Sequence, residues 1–232
     1  MTITIISANT TGAYAGDDTT VADTYLKSDV PTTNFGSATT LLSQWNDGLG
    51  IEWITLLSFG GLSSIDSDDN VSACSLGLHQ YTGSTVDLQI SKLLRDWVEA
   101  EATWQNWKTS NSWTSGGARG AGDVSAINFL HNYLGGSDTW EIIVNHAQLI
   151  ADTQDFIDGT IANYGWRFRT TNFDSGRSKH FYSSEDSDTA TRPYLLVTHA
   201  PPDVVTFYKT AKIETNIAAS GIDITILMQR DE

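Results

Sequence analysis

Carboxylates gather at two places in this 232-residue chain: Asp17, Asp18 and Asp23 near its start, and Glu185, Asp186 and Asp188 in a late turn. Hard oxygen ligands offered from strand-end turns are what a structural Ca2+ takes, so both groups are candidate ion sites. Neither follows an EF-hand or repeat signature, and a solvated acidic turn is the simpler reading of each. A further pair, Glu99 and Glu101, stands two residues apart on a stretch read as extended, where both would share a face. Glycoside hydrolysis uses two carboxylates roughly 5 to 10 Å apart in a cleft, but a structural role is the simpler reading here too. The five histidines, at 79, 131, 146, 180 and 199, make no HxH, HExxH or Cys/His spacing, so zinc is unsupported. No GxSxG elbow, Walker A loop or GxGxxG turn occurs, and a non-enzymatic protein is expected.

The other chemistry is aromatic. Residues 93–123 hold four of the eight tryptophans, Trp97, Trp104, Trp107 and Trp113, at spacings of 7, 3 and 6. A glycine-rich exit follows at Gly116, Gly117, Gly120 and Gly122. Neither a helical nor a strand period fits, so the stretch reads as an ordered loop pinned by its indoles. A flat aromatic face can also stack on the apolar side of a pyranose. Trp107, with Asn106, Lys108 and Asn111 beside it and Trp113 beyond, is the candidate glycan or partner contact. Core or interface packing is the blander role for the same residues.

Strands must position these groups. Thr2-Ile3-Thr4-Ile5 suggests an edge strand, and Val21, Asp23 and Tyr25 would share one face of the next. Leu41-Leu42 and residues 51–59 read as buried strands joined through the Asn46-Asp47-Gly48 turn. Cys74, Leu76 and Leu78 alternate with Ser75, Gly77 and His79, which makes Cys74 a small core hydrophobe. Val86, Leu88 and Ile90 mark another strand, and residues 127–133 read as a short turn. Residues 140–144 suggest a strand and residues 147–157 a helix, on the spacing of Leu149, Asp152/Thr153 and Phe156. Trp166 and Phe168 point inward from a strand at 164–169, and late strands are expected at 179–182 and 194–198. Pro201-Pro202 closes the unit, because two prolines cannot continue a sheet interior. Many short strands with turn signals and no alternating helices predict an all-β, antiparallel two-sheet jelly-roll sandwich. The expected divisions are an N-terminal arm or edge strand (1–22), the jelly roll (23–200) and a C-terminal strand-bearing arm (201–232). In that arm Tyr208, Ile222, Ile224 and Ile226 are the candidate assembly residues.

Composition narrows the partners. Hydrophobic residues make up 40% of the chain, enough for a sizeable core. With 13 basic against 28 acidic residues the net charge is −15, a field that repels nucleic acid, anionic membrane and anionic polysaccharide alike. One cysteine excludes an internal disulfide framework. The first residues lack a basic n-region, and the chain is read as a complete frame with neither secretory signal nor membrane span.

Four patches then carry a resemblance. They are Asp23-Thr24-Tyr25-Leu26 with Asn34-Phe35-Gly36; Leu56-Leu57-Ser58-Phe59 leading to Leu62-Ser63-Ser64-Ile65; Arg95-Asp96-Trp97 through Glu101-Ala102-Thr103-Trp104 to Trp113-Thr114; and Tyr164-Gly165-Trp166 through Ser183-Ser184-Glu185 to Arg192-Pro193-Tyr194-Leu195. In this order they resemble the DNRLRE-domain family, jelly-roll domains that include carbohydrate-binding modules. The resemblance covers about residues 23 to 199. It implies a two-sheet jelly roll of sugar-binding or adhesive ancestry, with Glu101, Trp104 and Trp113 in structural motif positions. The family's basic residue before the Leu-Leu-x-Phe strand is replaced here by Ile51-Glu52-Trp53. Two functions are expected. One is a virion structural protein of a tailed bacteriophage, a capsid decoration (cement) protein assembled in the host cytoplasm as a homotrimer on the major capsid protein or other virion subunits. The other is an extracellular carbohydrate-binding module or tail-fibre adhesion domain that binds glycans.

Overall fold

Alternation along the chain becomes an antiparallel sheet. The computed structural model describes residues 1–9, 15–16, 20–46, 48–171 and 177–202, with the strand backbones of 208–210 and 227–229. The first strands are β1 (Thr2–Ser7), β2 (Val21–Lys27), β3 (Thr40–Asn46), β4 (Ile51–Phe59), β5 (Asn70–Gly83) and β6 (Val86–Leu93). A small pair, β7 (Asn106–Lys108) and β8 (Asn111–Ser112), precedes β9 (Val124–Tyr133) and β10 (Thr139–Val144). One helix, α1 (Ala147–Ile157), leads to β11 (Trp166–Thr170), β12 (Arg177–Tyr182) and β13 (Tyr194–Ala200). The curled main sheet runs β1-β13-β5-β12-β3-β4-β11-β6-β9, with β10 beside β5 and β2 beside β4. All its pairings are antiparallel, and the fold is the expected all-β jelly-roll sandwich.

The chain divides into two compact units, Met1–Pro201 and Pro202–Glu232. In the second, β14 (Tyr208–Thr210) pairs antiparallel with β15 (Leu227–Gln229). Ile222, Ile224 and Ile226, and the side chain of Tyr208, lie outside the described residues. The first unit begins with β1, an edge strand paired to β13 from Thr2↔His199 to Ser7↔Tyr194.

Two apolar clusters fill the first unit. The larger lies inside the curled sheet and includes Leu57, Phe59, Cys74, Leu76, Leu88, Ile90, Trp166, Phe168 and Phe181, with Leu149 and Phe156 from α1. Burial pushes the Cys74 thiol up to about 12, as suits a core hydrophobe. The smaller cluster joins Leu26, Ile54, Leu56 and Leu93 to Trp97, Trp104 and Trp113. Leu56 and Leu57, adjacent and therefore on opposite faces, are both fully buried. So β4 is covered on both sides, and the tryptophan-rich loop covers the outer one. A strand buried on both faces reads as a continuous apolar run, which is what Ile54-Thr55-Leu56-Leu57 offers.

One sequence expectation fails. Residues 127–133 are part of β9, which pairs with β6 from Val86↔Tyr133 to Leu93↔Val124. Phe129 and Tyr133 face inward while Ile127 and Leu130 are exposed. With apolar residues on both faces, the period-2 signal is lost.

Candidate functional site

Three of the loop's four tryptophans, Trp97, Trp104 and Trp113, are buried as scaffold. Trp97 Nε1 donates to Tyr164 O at 2.8 Å, and Trp113 Nε1 donates to Thr103 O at 2.9 Å. Trp104 lies flat on the glycine exit: a Cβ on Gly117 would come within 2.6 Å of its ring. The glycines are there because the indole needs that surface. Of the expected glycan contacts, Trp113 is only 5% exposed and has no face left to offer. Trp107 is partly buried against the smaller cluster, with Lys108 Nζ 4.4 Å from its ring centroid. Lys108 is also paired with Asp96 at 3.2 Å. Asn106 Oδ1 accepts from Ser112 Oγ, and Asn111 Nδ2 donates to Thr109 O, so both amides brace the β7–β8 turn. Glu101 is exposed and accepts from Thr109 N at 2.7 Å. It stands apart from Glu99: residues 98–101 turn rather than extend, which parts the two carboxylates. Glu52, where the resembled family has a base, is buried and paired with Arg119 and Arg169, so its positive partners come from the loop and from β11.

Glu99 turns instead toward Asp23. The Asp23 backbone N–H donates to Glu99 Oε1 at 2.6 Å, and Ser184 N donates to Asp23 Oδ2 at 2.8 Å. Ser184 Oγ donates to Glu185 Oε1 at 2.9 Å. One oxygen from each of Asp23, Glu99 and Glu185 lies within 4.8 Å of the others. Asn34 fixes this arrangement: its Nδ2 donates to Glu99 O and Ala102 O at 2.6 and 2.8 Å, and its Oδ1 accepts from Gly36 N. A Cβ on Gly36 would stand 2.3 Å from Glu99 O, so only glycine fits. Burial pushes the Asp23 carboxyl well above the usual carboxylate range, helped by the charge of Glu185. Burial likewise carries Glu99 to about 7. The two acidic groups expected from sequence therefore split. Asp23 and Glu185 meet, joined by Glu99, which sequence spacing had assigned elsewhere. Asp186 and Asp188 do not join: their carboxylates accept from Asp188 N and Ala190 N and shape the turn. Asp17 and Asp18 lie outside the described residues.

A third constellation was not singled out from sequence. On the outer face of β5, His79 lies directly opposite Trp140 of β10, their rings 4.9 Å apart and edge to face. Trp140 meets Tyr194 at 5.0 Å, and His79 meets Tyr182 at 5.4 Å. Tyr182 meets Tyr81 at 5.5 Å. The result is a strip of aromatic rings across β10, β5, β12 and β13. It is seated deeply because Gly77 leaves room for Tyr194, whose ring would be 2.0 Å from a Cβ there. Tyr81 is 49% exposed at the strip's end. Asp138, Asp186 and Asp188 bear on it: they pull the His79 pKa upward, but burial outweighs them and lowers it. The signal was present in the alternation, since the face that carries Ser75, Gly77 and His79 continues to Tyr81.

The model of carbohydrate-binding module family 96 matches residues 16–117 of the chain. No curated protein matches it. That stretch holds β2 to β8, with Asp23, Glu99, His79 and Tyr81. Over these residues the chain is similar to a carbohydrate-binding module, a kind of domain that binds rather than catalyses.

Proposed function

We propose that this protein is a non-catalytic carbohydrate-binding module whose docking surface is the aromatic strip of Tyr81, Tyr182 and Trp140, supported by the buried His79 between the last two. The observation that carries the reading is an outward aromatic strip on a jelly-roll domain whose first half is similar to a carbohydrate-binding module. Such rings give a pyranose an apolar face to stack on, and neighbouring carboxylates accept from its hydroxyls. Asp138, Asp186 and Asp188 set the preference: with the −15 net charge they disfavour uronates and suit uncharged or amine-bearing polysaccharides. Among the described residues no feature favours the capsid-decoration alternative.

The test is retention of the full chain in affinity gels and on insoluble polysaccharides: cellulose, chitin, chitosan and, as the anionic control, alginate. The wild type is expected to be held by a neutral or amine-bearing polymer. Tyr81→Ala and Trp140→Ala should each weaken retention about tenfold, the scale of one lost stacking contact, while Trp107→Ala leaves it unchanged. Loss with Trp107→Ala and full retention with the other two would move the site to the tryptophan loop. Retention by none of the polymers would end the carbohydrate reading.

A further inference from the structure

We propose that Asp23, Glu99 and Glu185 bind one hard divalent cation, Ca2+, which ties three distant segments of the jelly roll together. Two separate observations lead there. The first is geometric: one carboxylate oxygen from each residue falls within a 4.8 Å span. That is the width across which an ion bonded at about 2.4 Å to oxygen reaches opposite ligands. All three ligands are oxygens, with neither nitrogen nor thiolate among them, which favours a hard ion over zinc.

The second concerns atoms that lack partners. Asp23 is only 1% exposed, yet its Oδ1 makes no hydrogen bond. Glu185 is half-buried, but its Oε2 atom is itself buried and likewise bare. A buried acceptor without a donor costs about 1–3 kcal/mol, and among the described residues no Lys, Arg or His is paired with any of the three carboxylates. The surrounding donors are already committed: Ser184 N and Oγ to Asp23 Oδ2 and Glu185 Oε1, and Asp23 N to Glu99 Oε1. These contacts orient the carboxylates without neutralising them. A cation among them meets both needs at once, as counter-charge and as partner for Oδ1 and Oε2.

The placement gives the ion a structural task. Asp23 lies on β2, Glu99 in the loop held by Asn34 and Gly36, and Glu185 in the turn after β12. Three of the four resemblance patches thus meet at one point. The ion's role is independent of the sugar reading, because none of these residues belongs to the aromatic strip.

The full-length chain, stripped with EDTA and exchanged into chelator-free buffer, is titrated calorimetrically with CaCl2 and separately with MgCl2. Thermal unfolding is followed with 1 mM CaCl2 and with EGTA. Saturable one-site binding of Ca2+ is expected, weaker for Mg2+, with the melting temperature raised by about 5 °C or more. Glu99→Gln and Glu185→Gln keep the shape and should abolish both effects while still unfolding cooperatively in EGTA. No heat and no thermal shift with the wild type would overturn the proposal, a shared proton then being what neutralises the cluster. Equal Ca2+ binding by both variants would also overturn it, since the ion would then sit on other carboxylates. Polysaccharide retention measured beside this separates the two proposals, because failure of either leaves the other's readout intact.

Discussion

Asp123 ties down the far end of the tryptophan loop's glycine exit. Its side chain is fully buried and accepts from Thr114 N, Ser115 N and Gly120 N at 2.8, 3.1 and 3.0 Å, with Arg95 Nε at 3.4 Å. Burial by itself would raise its pKa, but the three amides prefer the ionised form and the net shift is downward. The folded state therefore favours the carboxylate. Its stabilisation is fully present above the unfolded value near 3.9 and disappears as pH falls through the lower folded one. Asp123→Asn is expected to cost about 2 kcal/mol, the scale of hydrogen bonds to a charged group, read as a lower urea midpoint at unchanged slope. The penalty should shrink below about pH 4, where the wild-type carboxyl is itself protonated. At this scale the sequence showed residue types but not meetings. Asp23 and Glu185 were visible as acids, yet 162 positions' worth of chain separates them, and only β2 and the turn after β12 bring them together. Glu99 was weighed beside Glu101 because spacing was the sole guide, and a turn at 98–101 undoes spacing.

Among the elements, β4 explains why a loop so rich in tryptophan exists. Its inner face belongs to the main core, and its outer face, with Ile54 and Leu56, would meet water without Trp97, Trp104 and Trp113. Trp113→Ala should cost about 3–5 kcal/mol, the range for emptying a buried aromatic site. Trp107→Ala, at a partly buried ring beside the same cluster, should cost about 1 kcal/mol. Chemical denaturation of the two variants side by side checks the contrast, and equal costs would mean that the loop is a looser lid than its hydrogen bonds imply. Strands whose burial alternates, such as β6, and the short amphipathic α1 were legible because burial leaves a period. β9 was not, since Leu130 stands exposed opposite Phe129, and Ile127, two residues before Phe129, is exposed as well. The aromatic strip is only partly legible for a related reason: β5's alternation carries His79 and Tyr81, but Trp140, Tyr182 and Tyr194 come from three other strands.

For the whole molecule the question is what Pro202–Glu232 does. Every described residue of both apolar clusters lies within Met1–Pro201, as do the three carboxylates and the aromatic strip. A chain ending at Pro201 is therefore expected to fold alone, with one cooperative transition within about 2 °C of the full-length protein, since ΔΔG near zero leaves the midpoint in place. It should keep any polysaccharide retention the full chain shows. Light scattering on the same pair addresses assembly, which Tyr208, Ile222, Ile224 and Ile226 were expected to mediate. A net charge of −15 opposes self-association at low salt, and both chains are expected to have monomeric mass. A trimer formed by the full chain and lost on truncation would place an assembly function in Pro202–Glu232. A heterologous interface that closes into a ring is how such a trimer forms, and a subunit of a larger particle would then become the better account of the protein. Equal masses and equal melting would leave the jelly roll as a self-sufficient binding domain.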